Sequence, residues 1–313
     1  MENINLPPEI FETVHCPVCG ERDYTVIYPP RHDPSRVERV VETFRSSGDE
    51  TLFDQLVQCR GCGFKFINPR LRRDIILKGY SEGSDSVFVS QNAAREKTFA
   101  KCLKIIERYQ PGKGRILDVG TAGGTFLAVA KRQGWDVAGC EPNQWLCSWG
   151  REHYGLSITP GTISDMNLAN HSFDVVTLWD VLEHMPNPRE ALIECRRVLK
   201  PGGLLVVNYP DIGSWIARLM GRKWVFLLSV HLSYFTVETM TRMLKDTGFS
   251  VLKRQPHFQT LELDYIFYRM EAYIPVLPGW CRKVFAALGL KTVLVPYWMG
   301  QTLVLARASE GTQ

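Results

Sequence analysis

The stretch Arg115 to Gly124, RILDVGTAGG, constrains most strongly how this chain of 313 residues can fold. Ile116, Leu117 and Val119 form a short apolar run of the kind that fills a buried parallel strand. The run breaks into Gly120-Thr121-Ala122-Gly123-Gly124, after which Phe126, Leu127, Val129 and Ala130 recur at helical spacing. Strand, glycine-rich turn and helix together make a nucleotide site. Glycine lets the backbone turn sharply and approach a ligand, while free N–H groups at the helix start face it. Asp118, just before the turn, argues against a phosphate cradle, because a carboxylate repels pyrophosphate. It can instead pair with a cationic ligand or accept from its hydroxyls, which points to a positively charged nucleoside.

The second half of such a pocket follows about twenty residues on, the spacing usual for a ribose-reading acid. Trp135 to Cys140 reads as the next strand, and Glu141-Pro142-Asn143 stands at its carboxyl end, where an acid can accept from both ribose hydroxyls. A dinucleotide dehydrogenase is the rival reading. The loop does not match G-x-G-x-x-G, and Asp118 would sit badly beside pyrophosphate.

On these residues the chain resembles the class I S-adenosylmethionine-dependent methyltransferases. LDVGTAGG is similar to the family's first motif and GCEPN to its ribose-binding acid; VLEHMPNP and RVLKPGGLLVVNYP are similar to later motifs, in the same order. The resemblance runs closely from Ala93 to Gln255, and it departs at Ala122, where the common pattern has glycine. It implies that Asp118, Gly120 and Gly124 hold the methionine end of S-adenosylmethionine and Glu141 the ribose. Thr162 and Ile163 would border the adenine, and Trp179 the methionine moiety, although Trp179 also reads as a core aromatic. The implied fold is α/β: a doubly wound, Rossmann-like seven-stranded sheet whose last strand is antiparallel, with Thr302 to Ala306 as that strand.

Ahead of this domain stand two matched knuckles, Cys16-Pro17-Val18-Cys19-Gly20 and Cys59-Arg60-Gly61-Cys62-Gly63. Each sets two thiolates on one tight turn, as tetrahedral Zn2+ requires, and four thiolates leave no open position for catalysis. Cys16, Cys19, Cys59 and Cys62 are therefore read as ligands of a structural zinc in a zinc-ribbon-like module. Of the 39 residues between Cys19 and Cys59, Tyr28 to Asp54 read as an insertion, with Val37 to Phe44 a candidate strand or short helix. CRGCGFKFINPR resembles the zinc-binding region of a bacterial subgroup that includes deoxysugar methyltransferases. Arg70, Arg72 and Arg73 read as a solvated basic turn, or as an RNA contact. The implied layout is a module over residues 1–80, the cofactor-binding core over 81–255 and a C-terminal part over 256–313.

Composition excludes several classes. Net charge is only +4, too slight to imply a nucleic-acid partner. No run of about 18 apolar residues reads as a transmembrane helix. MENINLPPEI lacks a basic segment followed by an apolar stretch, so no secretory signal is read there. Nine cysteines, several on apolar elements, suit a reducing compartment, and the cytoplasm is the expected location.

Between the motifs, Leu71 to Ser90 reads as a linker with Tyr80 and Phe88 as lid aromatics, and Ala93 to Tyr109 as a helix. His184 and His231 are the two candidate general bases, because imidazole accepts a proton near neutral pH; His184 with Glu183 also reads as a mere loop cap. The acceptor pocket is expected around Trp215, Arg222, Trp224, His231, Tyr234 and Phe235. Leu261 to Trp298 is an apolar insertion whose leading reading is core packing, with an acceptor lid, a dimer surface or a peripheral membrane contact as alternatives. The expected function is methyl transfer to a small-molecule acceptor, a sugar or nucleotide-sugar first. A lipid, a quinone or RNA follow, and a non-catalytic zinc-bearing cofactor-binding module is the rival of a different class. Oligomeric state is left open.

Overall fold

In the computed structural model, which describes residues 9–31, 51–82, 89–270, 277–290 and 292–309, strand β6 (Arg115–Val119) is buried at every residue but the first. It pairs in parallel with β7 (Asp136–Glu141) on one edge and β9 (Phe173–Trp179) on the other. β8 (Ile158–Pro160) and β10 (Leu199–Pro210) extend the parallel run outward. β15 (Gln301–Ala308) lies antiparallel between β10 and β12 (Phe249–Pro256). The order β12-β15-β10-β9-β6-β7-β8 is the expected doubly wound seven-stranded sheet with its last strand antiparallel. Winding reverses between β6 and β9, and that reversal opens a crevice at the carboxyl ends of the strands.

Alternation along the strands divides the core into two layers. Ile116, Val175, Val206 and Leu305 face α2 (Asn92–Tyr109), α3 (Thr125–Arg132) and α4 (Gln144–Tyr154). Leu117, Val176, Leu205 and Ala306 face α5 (Pro188–Val198) and α7 (Val237–Asp246). Helix α2 buries Ala94, Thr98, Cys102 and Ile106, an i, i+4 stripe, while Ala93 is exposed.

The N-terminal part pairs β1 (Phe11–Glu12) with β5 (Arg70–Leu71). Beside it stands a four-stranded sheet of β2 (Tyr24–Tyr28), β3 (Leu56–Cys59), β4 (Lys65–Ile67) and β11 (Ser233–Tyr234). β11 comes from the expected acceptor region, so that region and the cysteine knuckles share a sheet. Residues 71–90 are not a plain linker: Arg73–Glu82 form helix α1, held by the fully buried Ile76. Phe88 and the Val37 to Phe44 segment lie outside the described residues.

The apolar insertion forms the hairpin β13 (Gln259–Glu262) and β14 (Leu294–Tyr297), with α8 (Leu263–Met270) and α9 (Leu277–Ala287) between them. Simple core packing is not its state. Tyr268, Leu288 and Val293 are exposed, whereas Leu261, Tyr265, Ile266 and Met270 turn toward the crevice. Helix α6 (Trp215–Met220) sits beside it through Trp215 and Trp298. No described helix is long and apolar enough to cross a membrane.

Candidate active site

The turn after β6 works because of its backbone. Gly120 has φ +68°, and a Cβ there would stand 2.7 Å from Val181. Gly124, at φ +78°, caps α3 and lies under Leu156; it shapes the turn but does not line the crevice. Ala122 also occupies the left-handed region, at φ +49°, so the departure from glycine costs backbone strain as well as pocket width.

Two buried carboxylates stand on either side of this turn. Asp118 is 2% exposed and accepts from Thr177 Oγ1 at 2.6 Å, across the β6–β9 register. Glu141 is 5% exposed and accepts from the backbone N–H of Ala122 at 2.8 Å and of Asn143 at 2.9 Å. One acid thus braces both the glycine turn and the start of α4, and keeps lone pairs for a ligand. Burial, the dominant cause, pushes both carboxyls up to about 7.

These groups line a cavity of about 690 Å³. Thr162 and Ile163 border it; the exposed Asp165 accepts from the Thr162 N–H and hydroxyl at 2.7 Å each. Trp179 serves both readings, packed 5.1 Å from Phe126 and 5.4 Å from Phe99 while bordering the cavity. At the other end His184 and His231 meet edge to face at 4.6 Å between ring centroids, beside Glu183. His184 Nδ1 lies 2.9 Å from the Tyr80 hydroxyl and 3.1 Å from the Val230 carbonyl. A hydrogen on Nδ1 serves the carbonyl and leaves the lone pair on Nε2, whereas a Tyr80 hydroxyl donating to Nδ1 places the hydrogen on Nε2. Burial pulls this imidazole down to about 4, so it is neutral at pH 7.

Several expected pocket residues lie elsewhere. Trp224 is 1% exposed in a separate core cluster, with its indole N–H donated to the Met299 carbonyl. Tyr234 and Phe235 are also core, because β11 is locked into the N-terminal sheet, and Trp215 points to solvent. The apolar wall comes instead from Val225, Phe226, Leu228, Leu261, Tyr265 and Met299. Arg70 is no solvated basic turn: it is buried, paired with Glu12 at 2.9 Å and donating to the Pro186 carbonyl. Arg72 and Arg73 are exposed.

The four knuckle cysteines converge. Cys16 and Cys62 sulfurs are 3.5 Å apart, as are those of Cys19 and Cys59, and all four lie within 4.8 Å of one another. These separations exclude disulfides, whose S–S bond is about 2.05 Å. They are near the roughly 3.8 Å edge of a tetrahedron with zinc–sulfur bonds of about 2.3 Å.

Residues 94–254, just over half of the chain, match the family model described as "Methyltransferase domain". The chain belongs to that family. It carries a class I S-adenosylmethionine-dependent methyltransferase domain, and Asp118, the glycine turn and Glu141 line one crevice of that domain. It is 34% identical over 118 residues to a ubiquinone biosynthesis O-methyltransferase of Cereibacter sphaeroides, covering 36% of this chain and 48% of that protein. The corresponding protein of Hahella chejuensis is 40% identical over 123 residues, covering 37% and 51%. The chain thus spans about half the length of the curated relatives it matches. A solved S-adenosylmethionine-dependent methyltransferase from Archaeoglobus fulgidus superposes with a TM-score of 0.50 at 18% identity, covering 71% of this chain and all of that one. That likeness is one of fold.

Three groups in this methyltransferase escape sequence reasoning. Asn143 caps α4 through Leu146 N and donates to the Tyr80 carbonyl, tying α1 to the cofactor side; an asparagine before a helical run is a readable cap, its second bond is not. Asp180, at φ +52°, accepts from Asn208 at 2.5 Å and from Gln259 at 2.9 Å, so it joins the sheet to the β13 hairpin. His257, buried beside Trp179 in the cavity wall, gives no local signal at all.

Proposed function

We propose that this methyltransferase carries a methyl group from S-adenosylmethionine to a hydroxyl oxygen of an apolar, ring-bearing small molecule of the phenol or quinol class. The apolar wall of the acceptor half is the observation that carries the reading: Val225, Phe226, Leu261 and Met299 offer dispersion contact and no hydroxyl-binding groups. The names of the curated relatives agree with it. A sugar or nucleotide sugar, the leading expectation from sequence, would find its polar partners outside this apolar stretch, among groups such as Glu183, His231 and Gln259.

The bound cofactor supplies an electrophilic methyl group on a sulfonium. The chain's residues bind, orient and exclude water. Asp118, with Gly120, would hold the methionine end, and Glu141 would accept from the ribose hydroxyls. Thr162 and Ile163 would frame the adenine, and Trp179 the methionine side. His184 or His231 would face the acceptor hydroxyl. Cys16, Cys19, Cys59 and Cys62 fit a structural Zn2+ by donor type and spacing, and would staple the N-terminal sheet to the core.

The test is methyl transfer from isotopically labelled S-adenosylmethionine to a panel holding a short-chain prenylated catechol, a plain catechol and a nucleotide deoxysugar. Label is expected in the prenylated catechol most, with loss in Asp118→Ala and Glu141→Ala. Label only in the sugar would overturn the acceptor assignment. Absence of S-adenosylhomocysteine binding by calorimetry would overturn the cofactor roles.

A further inference from the structure

Glu183 is the least explained group in the cavity. It is 2% exposed, and neither carboxylate oxygen has a hydrogen-bond partner. An ionised carboxylate buried without donors is strongly disfavoured, and such a group either holds a proton or faces a cation. Its neighbours bring lone pairs. His184 Nδ1 lies 3.1 Å from the Val230 carbonyl and His231 Nδ1 2.8 Å from the Phe226 carbonyl, so the tautomer that donates to these carbonyls carries its lone pair on Nε2 of each ring. One ligand atom from each of the three residues lies within 4.8 Å of the other two, and all three line the cavity. The carbonyls of Val230 and Phe226 and the Tyr80 hydroxyl orient the rings, as outer partners do for metal-bound histidines.

We propose that Glu183, His184 and His231 form a second metal site, a two-imidazole, one-carboxylate set for a borderline divalent ion such as Zn2+, Mn2+ or Co2+, open to the acceptor half of the cavity. This donor set suits those ions better than Mg2+, which prefers oxygen ligands. Three protein ligands leave positions for an acceptor oxygen. The ion would acidify an acceptor hydroxyl so that its proton leaves to water. The oxygen's electron pair then forms the bond to the methyl carbon, and sulfur keeps the pair of the broken bond. Only this last use rests on the methyltransferase reading; the metal site itself does not. It reassigns both histidines from base to ligand.

The test loads chelated, full-length protein with Co2+ and records bound metal and visible absorption. A cobalt with a thiolate charge-transfer band is expected from the four cysteines, together with a second ion showing only weak ligand-field bands. Glu183→Gln and His231→Gln should each weaken the second ion about tenfold or more while the thiolate band and S-adenosylhomocysteine binding persist, which shows that the variants fold. Wild-type protein that takes up only thiolate-bound cobalt overturns the proposal, as does a second ion indifferent to both substitutions. A second ion bound by protein that fails to bind S-adenosylhomocysteine supports the metal site while removing the cofactor roles.

Discussion

Ala122 holds a left-handed backbone at the centre of the cofactor turn while its N–H is held by Glu141. A side chain there is strained, and glycine would relieve it at some cost in unfolded-state entropy. Ala122→Gly should therefore raise stability by about 0.5–1 kcal/mol, read as a higher urea midpoint at unchanged slope. Asp118 and Glu141 bring a pH dependence of definite sign. Burial raises both to about 7, above the roughly 4 of an unfolded carboxyl. The folded apo protein thus keeps protons that the unfolded chain has lost. Their contribution to stability is full below pH ~4 and is lost as pH rises through about 7. A cationic ligand needs the ionised forms, so its affinity should climb between pH 5.5 and 7.5, roughly up to tenfold per unit and group. Binding should release protons, seen as buffer-dependent heats in calorimetry; heats that ignore the buffer would contradict this.

The helix α5 carries a coupling that its own pattern does not announce. Arg189 donates to the Val18 carbonyl at 2.6 Å and to Pro17 at 3.4 Å, gripping the first cysteine knuckle. A charge-assisted bond of this kind contributes about 1.5–3 kcal/mol. Arg189→Ala should lower stability by roughly that amount and speed metal loss to a chelator, with S-adenosylhomocysteine affinity unchanged. The cap of α7 offers a contrasting case. Thr236 accepts from Thr239 N at 3.3 Å in a reciprocal pair that the sequence already signals. Sequence pattern also placed β6, α3 and β7 correctly, because short apolar runs on either side of a glycine turn mark them. It missed α1, since Arg73–Glu82 is only ten residues and its single deep anchor, Ile76, is buried by contacts far away in sequence.

The molecule as a whole links its knuckles to its acceptor wall. β4 and β11 pair, so the sheet anchored by the cysteines also holds the turn carrying His231 and Leu228. Stripping a metal from Cys16, Cys19, Cys59 and Cys62 should loosen residues 225–235 before the cofactor crevice. The check is hydrogen exchange: faster exchange in 225–235, with the glycine turn still protected, and a larger loss of acceptor turnover than of cofactor affinity. Uniform loosening of the whole sheet would contradict this.

The doubly wound sheet and its antiparallel last strand were implied by a family resemblance, whereas the amino-acid sequence by itself determined the strand, glycine turn and helix after Asp118, the acid Glu141 at the end of the next strand, and the two knuckles. Each of the latter is written in neighbouring residues, through strand and helix periods, left-handed turn positions and fixed ligand spacing. Only the tertiary structure decided that Trp224 is core, that Arg70 is buried against Glu12, and that Glu183, His184 and His231 meet. Those outcomes depend on residues far apart in sequence, such as Glu12 with Arg70 and Lys65 with Tyr234, being brought together in the fold. Local pattern cannot tell which face of a short, uncapped segment the rest of the chain will cover.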